Sequence, residues 1–328
     1  MSAAARSSKI LTPTGQGGSE SSAGLSPTRV SLSELIQLRP TGEMIKLSAP
    51  RIRAFTAGGH LSPFKGRGVE YDESRPYQEG DDLRTIDWRV TARTGKPHTK
   101  VFREERNRPV IVWLDLGESM MFATQGAYKS VVAARAAAIV TWSAVANGDQ
   151  LGGLVFDPSD HAELRPRLGR RAALRLLQLI AAHEGWRDGR RDNGGTGDAA
   201  AFEHALGRLL RVARPGSLVW LCSDFVGQGP DFARQITQLA SHGDVNLLHV
   251  YDPIEAELPP PGRYRINMGK KTLTIDTSDT ELRRRFQADF AARCEQLAGL
   301  GRLPGVKLVS CASNEDPAAV LRRHFARR

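Results

Sequence analysis

The sequence predicts an α/β fold, Rossmann-like with a mainly parallel central sheet, preceded by a smaller β-containing module. Three observations carry this expectation. After Pro109, short apolar runs rich in β-branched and aromatic residues alternate with longer segments of helical spacing, the pattern of βαβ units. The runs are nearly continuous in apolar residues rather than alternating, as strands buried on both faces are. Upstream, from about Ser31 to Arg108, charge and turn residues dominate instead. The expected organisation is a disordered tail over 1–30, a β-containing module over 31–108 and an α/β domain over 109–328.

In chain order, MSAAARSSKILTPTGQGGSESSAGLSP has neither an apolar core of signal-peptide length nor helical spacing, so it is expected to be flexible. The module offers candidate strands around PRIRAFTA and HTKVFREE. The α/β region then provides strands at VIVWLD, QLGGLVF (150–156), SLVWLCSD (217–224), DVNLLHV (244–250) and VKLVSC (306–311). Helices are expected over 127–146, 198–212, 230–240 and 281–300, the last preceded by Thr277, Ser278 and Asp279 as capping candidates. HAELRPRL reads as an edge strand, and YRINMGKKTLTID as two short strands joined around Gly269.

Composition narrows the function classes. With 328 residues and 40% hydrophobic content, the chain suits one large or two modest globular domains. The longest nearly apolar stretch, AAAIVTWSAVA (136–146), is far short of the roughly 20 residues that cross a bilayer, so no membrane span and a cytoplasmic location are expected. Three cysteines, Cys222, Cys294 and Cys311, without C-x-x-C spacing, argue against a disulfide frame or a zinc site; all three are expected to be reduced core residues. The net charge of +10 invites a nucleic-acid reading, and eight arginines fall between Arg165 and Arg191. Helical periodicity in that region favours the solvated face of an amphipathic helix, and nucleic acid is an unexpected partner.

The stretch VIVWLDLGESM carries the functional clue, because a buried strand ends in Asp115 followed by Gly117 and Ser119. In open parallel sheets, ligands bind outside the carboxyl ends of the strands. Two further elements are expected to reach the same crevice: Thr196 in NGGTGD, before a helix, and Asp224 in CSDF, at a strand end. Two carboxylates and two hydroxyls are hard oxygen donors, suited to Mg²⁺ or Mn²⁺. The arrangement resembles the metal-ion-dependent adhesion site of von Willebrand factor A domains, with its D-x-S-x-S, distant Thr and distant Asp. Asp115, Ser119, Thr196 and Asp224 match that pattern, and Gly117 replaces its first serine.

Upstream, SRPYQEGDDLRTIDWRVTARTGKPHTKVFREER (74–106) resembles the hallmark of the family catalogued as domain of unknown function fifty-eight. The matching residues are Arg75, Tyr77, Gly80, Asp81, Arg84, Ile86, Asp87, Trp88, Ala92 and Arg93. DPIE (252–255) extends the resemblance, which runs from about Ile52 onward. It implies a von Willebrand factor A-like domain and a MoxR-type AAA+ ATPase as partner, acting in assembly or activation of a client protein. From the residues themselves, Arg75, Arg84 and Arg93 beside Asp81, Asp82 and Asp87 are expected to form a partly buried ion-pair network, with Trp88 as its apolar anchor.

The leading expectation is therefore a non-enzymatic adaptor that uses this crevice, with Mg²⁺ or Mn²⁺ offering an open coordination position, to engage an acidic group on its partner. A metal-dependent phosphohydrolase is the first alternative, weakened because Gly117 stands where haloacid-dehalogenase-like enzymes need a second aspartate. Nucleic-acid binding through the Arg-rich region is the second. Nucleotide binding is disfavoured by the lack of G-x-x-x-x-G-K-[ST], so ATP hydrolysis is assigned to the partner.

Overall fold

The computed structural model describes residues 9–11, 26–46, 69–79, 81–104, 108–186, 196–268 and 271–326. The chain divides into two units, one of residues 1–51 with 108–328 and one of 52–107. This corrects the expected boundary at Ser31. After a short strand β1 (Lys9–Leu11), helices α1 (Leu32–Gln37) and α2 (Arg39–Met44) belong to the α/β unit. Ser31 caps α1 by accepting from the Glu34 N–H. Val30, Leu35 and Ile45 are buried in the main core. Residues 26–30 likewise leave the expected tail, since Pro27 O accepts from the Tyr128 N–H. Lys9–Leu11 also departs from it by pairing with a later strand; the rest of 1–25 lies outside the described residues.

The smaller unit contains β2 (Val69–Pro76), α3 (Trp88–Thr94) and β3 (His98–Glu104), with β2 and β3 antiparallel. β3 is the expected HTKVFREE strand; PRIRAFTA lies outside the described residues. The α/β unit then follows the predicted order. β4 (Pro109–Asp115), α4 (Lys129–Ala146), β5 (Gln150–Phe156), β6 (His161–Leu168) and α5 (Arg170–Ala182) form its first half. α6 (Thr196–Val212), β7 (Ser217–Ser223), α7 (Phe232–His242), β8 (Gly243–Tyr251) and the short α8 (Pro253–Ala256) come next. The strands β9 (Arg263–Met268) and β10 (Lys271–Asp276) pair antiparallel as expected, and β9 also pairs with β1. The long helix α9 (Thr280–Leu300), capped by Asp279, leads to β11 (Val306–Ala312) and α10 (Pro317–Ala326).

Six strands form the central sheet in the order β11-β8-β7-β4-β5-β6. All neighbours are parallel except β5 and β6, so the expected HAELRPRL edge strand is present. Alternation along β4 sends its side chains to two cores. Val110, Val112 and Leu114 pack with α4, α5 and α10, whereas Ile111 and Trp113 pack with α6, α7 and α9. The chain runs outward in opposite directions from the pair β4 and β7, so the connections leaving their carboxyl ends diverge, the topological switch point at which open α/β sheets form a crevice. α4 is long and apolar enough to cross a membrane by length and composition, but 83% of it is buried inside the protein. That burial identifies it as the core helix over which the sheet is built.

Candidate functional site

Three of the four expected crevice residues meet at the carboxyl ends of β4 and β7. Asp115 ends β4 and is buried; its Oδ1 accepts from the Gly117 N–H at 2.8 Å and its Oδ2 from the Ser223 hydroxyl at 2.6 Å. Asp224 follows β7 and is fully buried, and its Oδ1 accepts from the Val226 N–H at 3.0 Å. Ser119, in the turn of 3₁₀-helix over Glu118–Met120, lies near the same carboxylate and adds slightly to the lowering of its pKa. The turn after Asp224 is held in a demanding conformation: Phe225 has φ of 55°, the left-handed region a non-glycine residue seldom occupies, while its N–H donates to Ser223 Oγ at 2.9 Å. Thr196 begins α6, but its side chain lies outside the described residues.

The central group of the crevice is a residue that the sequence reading overlooked. Lys129 opens α4, is 1% exposed, and its Nζ donates to Asp224 Oδ2 at 2.7 Å and to Glu255 Oε1 at 2.6 Å. Burial works to lower the Lys129 pKa, but the charges of Asp224 and Glu255 overcome it and hold the amine above the ordinary lysine value. Burial likewise pushes the Asp224 carboxyl up, and the adjacent Lys129 charge pulls it below the ordinary carboxylate value. The group is a charged triad of one ammonium and two carboxylates. One sequence signal pointed to it: Lys129 is a lone charge in the first turn of KSVVAARAAAIV, where the helix dipole disfavours a cation.

DPIE forms the outer wall. Asp252 is fully buried and caps α8 in a reciprocal box, with its side chain accepting from the Ile254 N–H and Glu255 Oε2 accepting from the Asp252 N–H. The Asp252 carboxylate also accepts from the Thr124 N–H and hydroxyl and from the Ser313 hydroxyl, tying the loop after β4 to the end of β11. Capping by Asp252 fixes the position from which Glu255 reaches Lys129.

The donor set fits a divalent metal poorly. Asp115 accepts from the Gly117 N–H and the Ser223 hydroxyl, Asp224 and Glu255 are paired with Lys129, and Gly117 supplies no hydroxyl. Among the described residues, no group of three or more His, Cys, Asp and Glu side chains is disposed to hold a metal ion. A metal seated between Asp115 and Asp224 would have to draw Asp224 from a buried ammonium, and stripping a buried ion of its partner costs about 3–5 kcal/mol. A metal seated there would have to offset that cost.

Asp115 and the two buried thiols are poorly placed as nucleophiles. Both Asp115 oxygens are engaged, and burial pushes the thiols of Cys222 and Cys311 up to about 12, so both stay protonated. Cys294 is only partly buried, which corrects its expected core position.

In the smaller unit, the expected ion-pair network reduces, among the described residues, to one pair, Arg75 with Asp81 at 2.8 Å. Asp82 and Asp87 act as caps instead: Asp82 accepts from the Arg84 N–H, and Asp87 accepts from the Arg89 and Val90 N–H groups that open α3. Asp87 also accepts from the Ser74 hydroxyl at 2.8 Å, and that bond, with the Val90 N–H, lowers its pKa. Arg84 and Arg93 are exposed. Trp88 is 71% exposed and Leu83 is 65% exposed, so the expected apolar anchor is a surface residue. Tyr77 donates its N–H to Pro97 O, and Gly80 lies outside the described residues.

Comparison with known proteins agrees with the family resemblance. Uncharacterized proteins of Mycobacterium bovis and of Mycobacterium tuberculosis strain H37Rv are each 31% identical over 272 residues, covering 83% of this chain and 83% of theirs. A solved structure described as conserved hypothetical protein BatB from Bacteroides thetaiotaomicron aligns with a TM-score of 0.36 and 15% identity, over 67% of this chain and all of that one. The model of the family described as protein of unknown function DUF58 matches residues 73–296, spanning the hallmark segment, the crevice and most of α9, and this chain belongs to that family.

Proposed function

We propose that this chain is a non-enzymatic, cytoplasmic adaptor, a von Willebrand factor A-like domain joined to the hallmark module, which works with a MoxR-type AAA+ ATPase in assembling or activating another protein. The observation that carries this reading is Trp88, 71% exposed at the start of a helix whose first turn is fixed by the Asp87 cap. Leu83 is exposed in the same segment, and Arg84, Arg89 and Arg93 surround it in sequence. Trp and Arg are the residue types that dominate binding energy at protein interfaces. A large apolar side chain left in water at a hallmark position is otherwise a liability. The saturated hydrogen bonding of Asp115 and Asp224 supports a structural rather than a catalytic use of the crevice.

The test is an affinity capture with the tagged full chain from lysate of its own source cells, identified by mass spectrometry, beside the variant Trp88→Ala. The wild type is expected to recover a MoxR-type AAA+ ATPase, and Trp88→Ala to recover roughly tenfold less or lower while keeping the wild-type circular dichroism spectrum. Capture without any such ATPase, or equal recovery by the variant, counts against the proposal.

A further inference from the structure

We infer that Lys129 is the resident cation of the strand-end crevice, standing where a divalent metal was expected, so that the crevice is built to operate without metal ions. The inference is independent of the adaptor reading. A lysine is almost never fully buried unless paired, and Lys129 is 1% exposed between two carboxylates supplied by different elements, Asp224 after β7 and Glu255 on α8. Its place at the first residue of an 18-residue helix is the one where the macrodipole opposes a cation, so helix stability does not explain it. The same positive helix end helps offset the second carboxylate that one ammonium leaves uncompensated. Asp115, by contrast, accepts from a hydroxyl and a backbone N–H. Gly117 removes the hydroxyl that a metal site would use, and that loss costs nothing when the cation is a side chain.

The functional consequence is that the crevice offers no open coordination position to an acidic group on a partner. It acts as a latch, tying the start of α4 to the end of β7 and to α8.

The test uses the full chain with Mn²⁺ alone as probe, followed by paramagnetic resonance, and thermal melts in Mg²⁺, Mn²⁺ and EDTA. The variant is Lys129→Met, which keeps the length of the stem and removes the charge. The wild type is expected to show no saturable Mn²⁺ site and the same Tm in all three conditions. Lys129→Met is expected to melt roughly 10 °C lower in EDTA, because two buried carboxylates lose their counter-charge. One saturable Mn²⁺ per wild-type chain, abolished by Asp224→Asn, would overturn the inference, as would a Lys129→Met chain as stable in EDTA as the wild type. Should Lys129→Met fail to fold, the wild-type titration decides alone.

Discussion

His249, on β8 beneath the crevice, shows how much a single buried side chain governs the response to acid. It is 2% exposed, its ring stacks on Tyr251 at 5.5 Å and lies near Phe290 and Phe225, and its Nε2 has no hydrogen-bond partner among the described residues. Burial pushes its pKa down to about 4; Asp224 pulls the other way, while Arg293 and Lys129 add to the depression. The folded protein therefore resists a proton that the unfolded chain accepts near pH 6.5. Its contribution to stability is complete above that value and is lost as pH falls from about 6.5 towards about 4, by roughly 3 kcal/mol in all. His249→Phe keeps the aromatic contacts and removes both the proton site and the unpartnered nitrogen. Urea melts at pH 7 and pH 5 are expected to show the variant at least as stable as wild type at pH 7, with a shallower loss at pH 5. An unchanged pH slope would place the acid response in other groups.

At the scale of elements, close packing against α4 explains where the sequence-based boundary failed. A Cβ on Gly42 of α2 would lie 2.5 Å from Trp142 Cβ and 2.7 Å from Ile139 O, so α2 sits directly on the helix backbone. The Trp142 indole N–H donates to Leu35 O at 2.9 Å, and Arg135 pairs with Glu34 at 2.6 Å. Gly42→Ala is expected to destabilise the protein by about 1–3 kcal/mol, read as a lower urea midpoint at unchanged m-value. A neutral substitution would mean that α2 is only loosely attached. The contacts are invisible in the sequence because Leu32 to Met44 is short and carries Pro40 and Gly42, neither of which announces a helix interior. The Arg-rich region shows the reverse case. On α5, Ala172, Ala173, Leu176, Leu177 and Ile180 are buried while Arg170, Arg171 and Arg175 face water, as its periodicity implied. Arg165 and Arg167 on the edge strand β6 keep that edge charged, a common protection against unwanted pairing.

For the whole molecule, these contacts predict that the α/β unit does not stand alone as the fragment 108–328. Removing what precedes it uncovers the seats of Val30, Leu35 and Ile45, each worth about 1.5–3 kcal/mol when buried, and leaves Arg135 without Glu34. The fragment is expected to melt at least roughly 10 °C below the full chain, or to aggregate through the bared face of α4. A fragment as stable as the full chain, by calorimetry, would restore the boundary near residue 109. The same burial accounts for the apolar character of α4, which is shielded by the sheet on one side and by α1, α2, α5 and α10 on others.

The sequence by itself determined the alternation of strands and helices, the edge strand, the capped α9 and the strand ends at Asp115 and Asp224, because periodicity and a polar residue after an apolar run are local signals. It also determined the family, through a hallmark segment dense enough to recognise in one chain. Only the tertiary structure decided what balances the charge in the crevice. Lys129 and Glu255 are 126 residues apart, and the lone charge at the head of α4 marks Lys129 as unusual without saying which carboxylates it is buried with. It also decided that Trp88 faces water and that Asp82 and Asp87 cap helices rather than pair with arginines, since solvent exposure and the choice between cap and ion pair depend on the turn geometry around each residue.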